Sequence, residues 1–163
     1  MSHLKTLNSK IYNLDNLTSQ VEQWKMAGNK VVFTNGCFDI IHRGHIELLA
    51  STADLGNKLI IGLNSDLSIQ KIKGKGRPII DEDSRAILLS ALSFVDAIIL
   101  FSEDTPLKLI STLLPDVLAK GGDYEIETIV GHKIVQQNGG KVKLVPFVDG
   151  FSSTNIIDEI KSS

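Results

Sequence analysis

The chain has 163 residues, enough for one ordinary domain with its own core. Its 17 basic and 19 acidic residues give a formal net charge of −2, which excludes the broad basic face of a nonspecific nucleic-acid binder and leaves any anionic ligand to a local cluster. One cysteine, Cys37, excludes intramolecular disulfides and points to a reducing, cytoplasmic setting, while the opening MSHLKTLNSKIYNLDNL lacks a signal-peptide core and no later stretch has the roughly 18 apolar residues that span a bilayer.

The first predicted element is an amphipathic helix over 13–28, NLDNLTSQVEQWKMAG, with Leu14, Leu17, Val21 and Trp24 on one face. Five apolar runs of strand length follow, over 30–34, 58–64, 96–101, 116–120 and 141–147. Between them lie segments with helical spacing and helical punctuation. Gly56 stands where a C′ glycine belongs after GHIELLASTADL, and Thr105 precedes Pro106 as an N-cap precedes an N1 proline. Asp81 or Asp83 can cap SRAILLSAL, and Ser152 or Ser153 can cap TNIIDEI. Strands alternating with helices predict an α/β domain with a five-stranded parallel sheet. The strands hardly alternate in polarity, which predicts helices on both faces. No repeat, low-complexity tract or linker divides the chain.

In an open parallel sheet, ligands bind beyond the C-terminal ends of the strands, near the point where strand order reverses. TNGCFDIIHRGH, residues 34–45, follows the first of the five runs at such an end. A helix starting near Gly44 or His45 would turn its free N–H groups and positive dipole end toward an anion across the loop, and Gly44 would clear the approach. His42 and His45 are three residues apart and so fall close to one face. Two imidazoles there can donate hydrogen bonds to charge that builds on phosphate oxygens during transfer, each such donor contributing about 3 kcal/mol. A lone histidine is ordinarily a satisfied core or surface group, as His3 and His132 read here; two flanking a glycine at a strand-to-helix corner read as a site. Zinc has no third Cys or His ligand at suitable spacing.

Other segments carry weaker signals. Ser152, Ser153 and Thr154 stand at a helix start where hydroxyls and N–H groups can hold phosphate oxygens, although a serine-rich cap alone is only a cap. QKIKGKGRP gathers Lys71, Lys73, Lys75 and Arg77 on a glycine-loosened loop, either a solvated basic loop or a local funnel for polyanions. It completes neither a P-loop nor GxGxxG. LAKGGDY closes a strand on a glycine pair that is a plain turn or lets backbone approach a flat ligand. Asp39 and Asp66 follow the first and second of the predicted strands, where their carboxylates are suited to hydroxyls of an acceptor or a ribose and could also assist Mg²⁺.

Asn35, Gly36, Phe38, Asp39, His42, Gly44 and His45 reproduce the HxGH signature, and the chain resembles the cytidylyltransferase-like nucleotidyltransferases. Seven blocks in order resemble the heptose 1-phosphate adenylyltransferases within that family: FTNGCFDIIHRGHIELL, NSD at 64–66, KGKGRPI at 73–79, DEDSRAILLSAL, EDTP at 103–106, LAKGGDY at 118–124 and GFSSTNII at 150–157. They cover about residues 29–160. The resemblance implies one Rossmann-like nucleotidyltransferase domain over 29–163 behind a helical lead-in at 1–28. It implies transfer of the adenylyl group of ATP to D-glycero-β-D-manno-heptose 1-phosphate, giving ADP-heptose and pyrophosphate for lipopolysaccharide core synthesis. Mg²⁺ would bind mainly through the ATP phosphates, with no protein metal ligands assigned.

The same resemblance implies roles for named residues. His42, His45, Lys120 and Thr154 are the expected catalytic groups. Thr34, Asn35, Gly36, Phe38, Gly44, Arg85, Gly121, Gly122, Asp123, Ser152 and Ser153 join Thr154 as expected nucleotide contacts, Arg85 gripping phosphate unless it is only a surface helix arginine. Asp39, Asn64, Asp66, Lys73, Lys75 and Arg77 are the expected acceptor contacts. Cytidylyltransferases of glycerol phosphate carry an arginine where this chain has Phe147, which weakens a CTP reading and leaves Lys120 as the expected replacement cation. The expected partners are small molecules, a sugar kinase on a separate chain and a homo-oligomeric copy, with no nucleic acid or membrane. Three rival readings stand beside this one: a cytidylyltransferase for a small alcohol phosphate, a class I aminoacyl-tRNA synthetase with its related HIGH corner, and a module that binds nucleotide without turnover. The second has no room for tRNA recognition in 163 residues and no KMSKS block.

Overall fold

The computed structural model describes residues 2–147 and 150–162. Among them six parallel strands, β1 (Ile11–Tyr12), β2 (Val31–Gly36), β3 (Lys58–Asn64), β4 (Ala97–Phe101), β5 (Val117–Gly121) and β6 (Lys141–Val145), form one sheet in the order β1-β4-β3-β2-β5-β6. The helices are α1 (His3–Asn8), α2 (Leu14–Met26), α3 (Arg43–Ala53), α4 (Asp66–Lys73), α5 (Glu82–Ser90), α6 (Leu107–Leu113), α7 (His132–Gln137) and α8 (Ser153–Ser162).

The expected parallel sheet is present with six strands rather than five. The additional strand, β1, pairs with β4 at the sheet edge through Ile11 and Tyr12. Two residues are too few for any periodicity to show. β6 stops at Val145 because Pro146 has no N–H to continue the ladder. Pro106 occupies the cap position of α6 rather than its first helical position, and Thr105 makes no capping bond.

Successive residues of the central strands point to opposite faces, and each face is covered. Val31, Phe33, Ile60, Ala97, Ile99 and Leu118 pack with Leu17 and Val21 of α2, Leu109, Ile110 and Leu113 of α6, and Val135 of α7. Val32, Leu59, Ile61, Leu63, Ile98, Val117 and Ala119 pack with Leu48 and Leu49 of α3 and Ala86 and Leu89 of α5. Helices on both faces explain why the strands read as unbroken apolar runs. The α2 face comes out as its spacing predicts, with Leu17 and Val21 buried and Leu14 and Trp24 packed against them. No helix among the described residues is long and apolar enough to cross a membrane.

From β2 the chain builds outward through β3 to β4, and then returns to the other side of β2 to lay down β5 and β6. Strand order therefore reverses between β2 and β5. Their C-terminal ends, Gly36 and Gly121, flank the crevice where a doubly wound sheet binds ligands.

Two buried ionic groups fix the corner after β2. Arg85 has no solvent exposure, and its guanidinium donates to the carbonyls of Ile80 (2.9 Å), Cys37 (2.6 Å) and Asn64 (2.8 Å) and to the Asp66 carboxylate (2.7 Å). Asp39, 1% exposed, accepts from Ile79 N–H (2.8 Å), Ile80 N–H (2.9 Å) and Arg77 Nε (2.7 Å). The corner is thereby tied to the chain around residues 77–85. Asp39→Ala would leave two amides and a guanidinium without their acceptor, and urea unfolding is expected to show a loss of about 3 kcal/mol. Lys71→Ala, which breaks only the exposed pair with Asp104, is expected to change stability by less than about 0.5 kcal/mol.

Candidate active site

The corner delivers two imidazoles into one cleft. His42 is the cap of α3 with extended backbone, and His45 lies in the first turn. Their rings stack with centroids 3.8 Å apart and planes 17° from parallel. Phe38, at φ 47°, holds a left-handed conformation that brings its buried ring edge-on to His45 at 5.2 Å. Gly44 is required by close approach, since a Cβ there would come within 2.8 Å of Phe151 and 3.1 Å of His42 Nδ1.

Among the described residues, His42 Nδ1 and His45 Nδ1 are both buried and have no hydrogen-bond partner. Burial pushes His45 down to about 4, assisted by the charges of His42 and Lys73 and opposed by the Ile40 backbone; burial also lowers His42. Both rings are therefore neutral near pH 7, each carrying one N–H donor.

A cleft of about 390 Å³ opens on these rings, lined by His42, Gly44 and His45 on one side and by Ser152, Ser153 and Thr154 on the other. Ser152 caps α8, its Oγ accepting from Asn155 N–H at 3.4 Å. Ser153 donates its hydroxyl to the Ile40 carbonyl at 3.0 Å, so α8 is fastened directly to the histidine corner. Thr154 is exposed within the cleft, and its hydroxyl has no partner among the described residues. The starts of α3 and α8 thus face one space, each presenting N–H groups and the positive end of a helix dipole.

A second lobe of about 320 Å³ shares His45, Lys73, Phe147 and Ser153 with the first. Thr34, Asn35, Gly36, Phe38, Asp39, Lys120 and Gly121 line it, at the switch point between β2 and β5. The Lys120 ammonium is 5.9 Å from the centre of the Tyr124 ring and has no carboxylate partner among the described residues. Burial lowers its pKa, with Cys37 opposing.

The expected site residues thus divide. Of the basic loop only Lys73 reaches the cleft; Lys75 is exposed away from it and Arg77 is paired with Asp39. Arg85 is neither a surface arginine nor placed to grip phosphate, because protein oxygens occupy its guanidinium inside the fold. Asn64 is buried on Ser68 and Arg85, and the Asp66 carboxylate accepts from Arg85, so both belong to the brace rather than the cleft wall. Asp39 touches the second lobe with oxygens already engaged. Gly122 and Asp123 lie beside the cleft without lining it. Leu48, Tyr124, Phe147 and Phe151 line it as well, and the apolar character of their segments reads as packing.

Among the described residues the carboxylate that lines the cleft is Asp39, which is paired with Arg77, and no group of three or more metal-ligating side chains is present.

The cytidylyltransferase-like family matches residues 33–162. The chain is 51% identical over 159 residues to "Bifunctional protein HldE" of Citrifermentans bemidjiense, covering 98% of this chain and 33% of that protein. It is 53% identical over 153 residues to the protein of the same name from Geobacter metallireducens, covering 94% and 31%. The chain therefore spans about a third of the length of these curated relatives. Among solved structures, a lipopolysaccharide core biosynthesis protein from Thermoplasma volcanium GSS1 superposes with a TM-score of 0.59 at 33% identity, over 74% of this chain and 98% of that one. A match that runs from within β2 through α8, over a cleft whose two walls are the starts of α3 and α8, places this chain among the cytidylyltransferase-like nucleotidyltransferases.

Proposed function

We propose that the protein transfers the adenylyl group of ATP to a sugar 1-phosphate, D-glycero-β-D-manno-heptose 1-phosphate, releasing pyrophosphate and ADP-heptose. One observation carries the reading: two stacked, neutral imidazoles, their Nδ1 atoms without a partner among the described residues, share a cleft with the hydroxyl-lined start of a second helix. Each neutral ring carries one N–H that a phosphate oxygen can accept. The heptose acceptor and the place in lipopolysaccharide core synthesis rest on the ordered sequence blocks and on the Thermoplasma relative, itself a lipopolysaccharide core biosynthesis protein. The acceptor would be supplied by a sugar kinase, as a further domain or a separate chain.

In this mechanism an ionised phosphate oxygen of the sugar attacks the α-phosphorus of ATP. The new P–O bond forms as the bond to the β-phosphate oxygen breaks, and the electron pair leaves with pyrophosphate. No proton need be removed from the nucleophile, so catalysis consists of alignment and charge stabilisation. His42 and His45 donate to the oxygens of the five-coordinate α-phosphorus. Ser152, Thr154 and the α8 N–H groups hold the departing phosphates, with Lys73 over the junction of the two lobes. Lys120, at the switch point and without a carboxylate partner among the described residues, neutralises the two phosphates that must approach each other.

Four outcomes test this reading. A pyrophosphate-release assay of ATP and CTP against a panel of sugar 1-phosphates and alcohol phosphates should give turnover with ATP and the heptose phosphate; preference for CTP and an alcohol phosphate would replace the reading, and nucleotide binding without release on any acceptor would make the protein a sensor. His42→Ala should lower kcat by about 10²–10³ while ATP still binds by calorimetry. Lys120→Met should cut kcat/KM severely, and wild-type turnover in that variant would remove the lysine from the mechanism. Because His45 takes its proton near 6.5 when unfolded and near 4 when folded, the unfolded state binds more protons between these values, so stability is lost as pH falls through that window. Thermal unfolding from pH 7 to pH 4 should show a steeper fall of Tm in the wild type than in His45→Gln.

A further inference from the structure

The aromatic side chains left exposed on this protein are not scattered. Among the described residues, Tyr124, Phe147 and Phe151 are the exposed aromatic groups, at 48%, 62% and 40%, and all three border the cleft. Phe151 is occupied, stacked 6.0 Å from His42 with Arg43 5.8 Å from its centre. Tyr124 faces the Lys120 ammonium. Phe147 is the most exposed and lines both lobes, at the boundary between the phosphate-binding half and the switch-point half.

Its seat explains the glycine pair at the end of β5. A Cβ on Gly121 would come within 2.9 Å of the Phe147 ring, and one on Gly122 within 2.6 Å. Gly122 also holds φ +107°, so both space and backbone exclude a side chain. An exposed ring resting on two residues without side chains gains little from its own burial. It gains more when a second flat, apolar surface covers it.

We propose that Phe147 is the stacking platform for the nucleobase and that it selects purine over pyrimidine. A ligand whose phosphates lie between His42, His45 and Thr154 extends its base past the shared wall of the two lobes, where Phe147 stands. Base stacking on an aromatic side chain is sequence-tolerant but grows with the stacked area, and adenine offers two fused rings where cytosine offers one. The proposal rests on the nucleotidyltransferase reading of the cleft and adds the residue that discriminates among nucleotides.

The test uses binding, so that it does not depend on knowing the acceptor. Calorimetric Kd values for ATP and CTP with Mg²⁺ are measured on the wild type, Phe147→Ala, Phe147→Leu and Phe147→Trp, with circular dichroism to verify folding. Phe147→Ala and Phe147→Leu should weaken ATP binding by about 5- to 100-fold and CTP binding less, collapsing the preference. Leucine still fills the seat on Gly121 and Gly122, so wild-type affinity in Phe147→Leu would make the ring mere packing and overturn the proposal. In Phe147→Trp, ATP should quench the new indole emission relative to the wild-type signal of Trp24; absence of quenching would equally overturn it. If ATP binds Phe147→Ala as tightly as the wild type, only the stacking platform falls; if neither nucleotide binds the wild type, the reading of the cleft falls with it.

Discussion

A guanidinium shut away from water holds the histidine corner in shape. An uncompensated charge at that depth is prohibitive, so the fold must bring four oxygens to Arg85, and it draws them from the loop after β2, the end of β3, the start of α4 and the approach to α5. Asp39 works in the opposite sense, collecting two amides and a second guanidinium from the chain near residue 80. Together they convert an irregular surface loop into a rigid bracket. The separation of the two imidazoles is inherited from that bracket.

The electrostatic design is economical in a different way. The whole chain is slightly acidic, yet among the described residues the cleft sees two lysines, two helix starts and no free carboxylate. The imidazoles add no standing charge, because desolvation keeps them neutral until a phosphate group supplies a reason to take a proton. Positive charge is thus gathered by a few side chains and helix starts beside the imidazoles.

Much of this was legible in the amino-acid order. Helical and apolar periodicities located α2 and five of the six strands, and the sheet's C-terminal edge followed from parallel pairing. His42, Gly44, His45 and the serine-threonine turn could be read as a site because their residue types are wasteful anywhere else. β1 escaped because two residues show no period. Arg85, Asn64, Asp66 and Arg77 were assigned to ligands and turn out to be engaged by the protein itself, since a charged residue near a strand end looks the same whether it faces the cleft or the interior. Only the direction of the side chain separates the two, and that direction is decided by residues dozens of positions away. Tyr124 was overlooked as a site residue, and Phe147 noted only as a missing arginine, for the converse reason: in a sequence, an exposed ring and a buried one are spelled alike.

The bond from Ser153 to Ile40 links positions 113 residues apart and closes one wall of the site onto the other. α8 otherwise sinks a single buried side chain, Ile157, into the body of the protein. Folding and competence are consequently governed by different contacts. The sheet and its covering helices can be complete while the grip is still half built, so a chain with α8 undocked would look native by every measure of its core and yet be an idle enzyme.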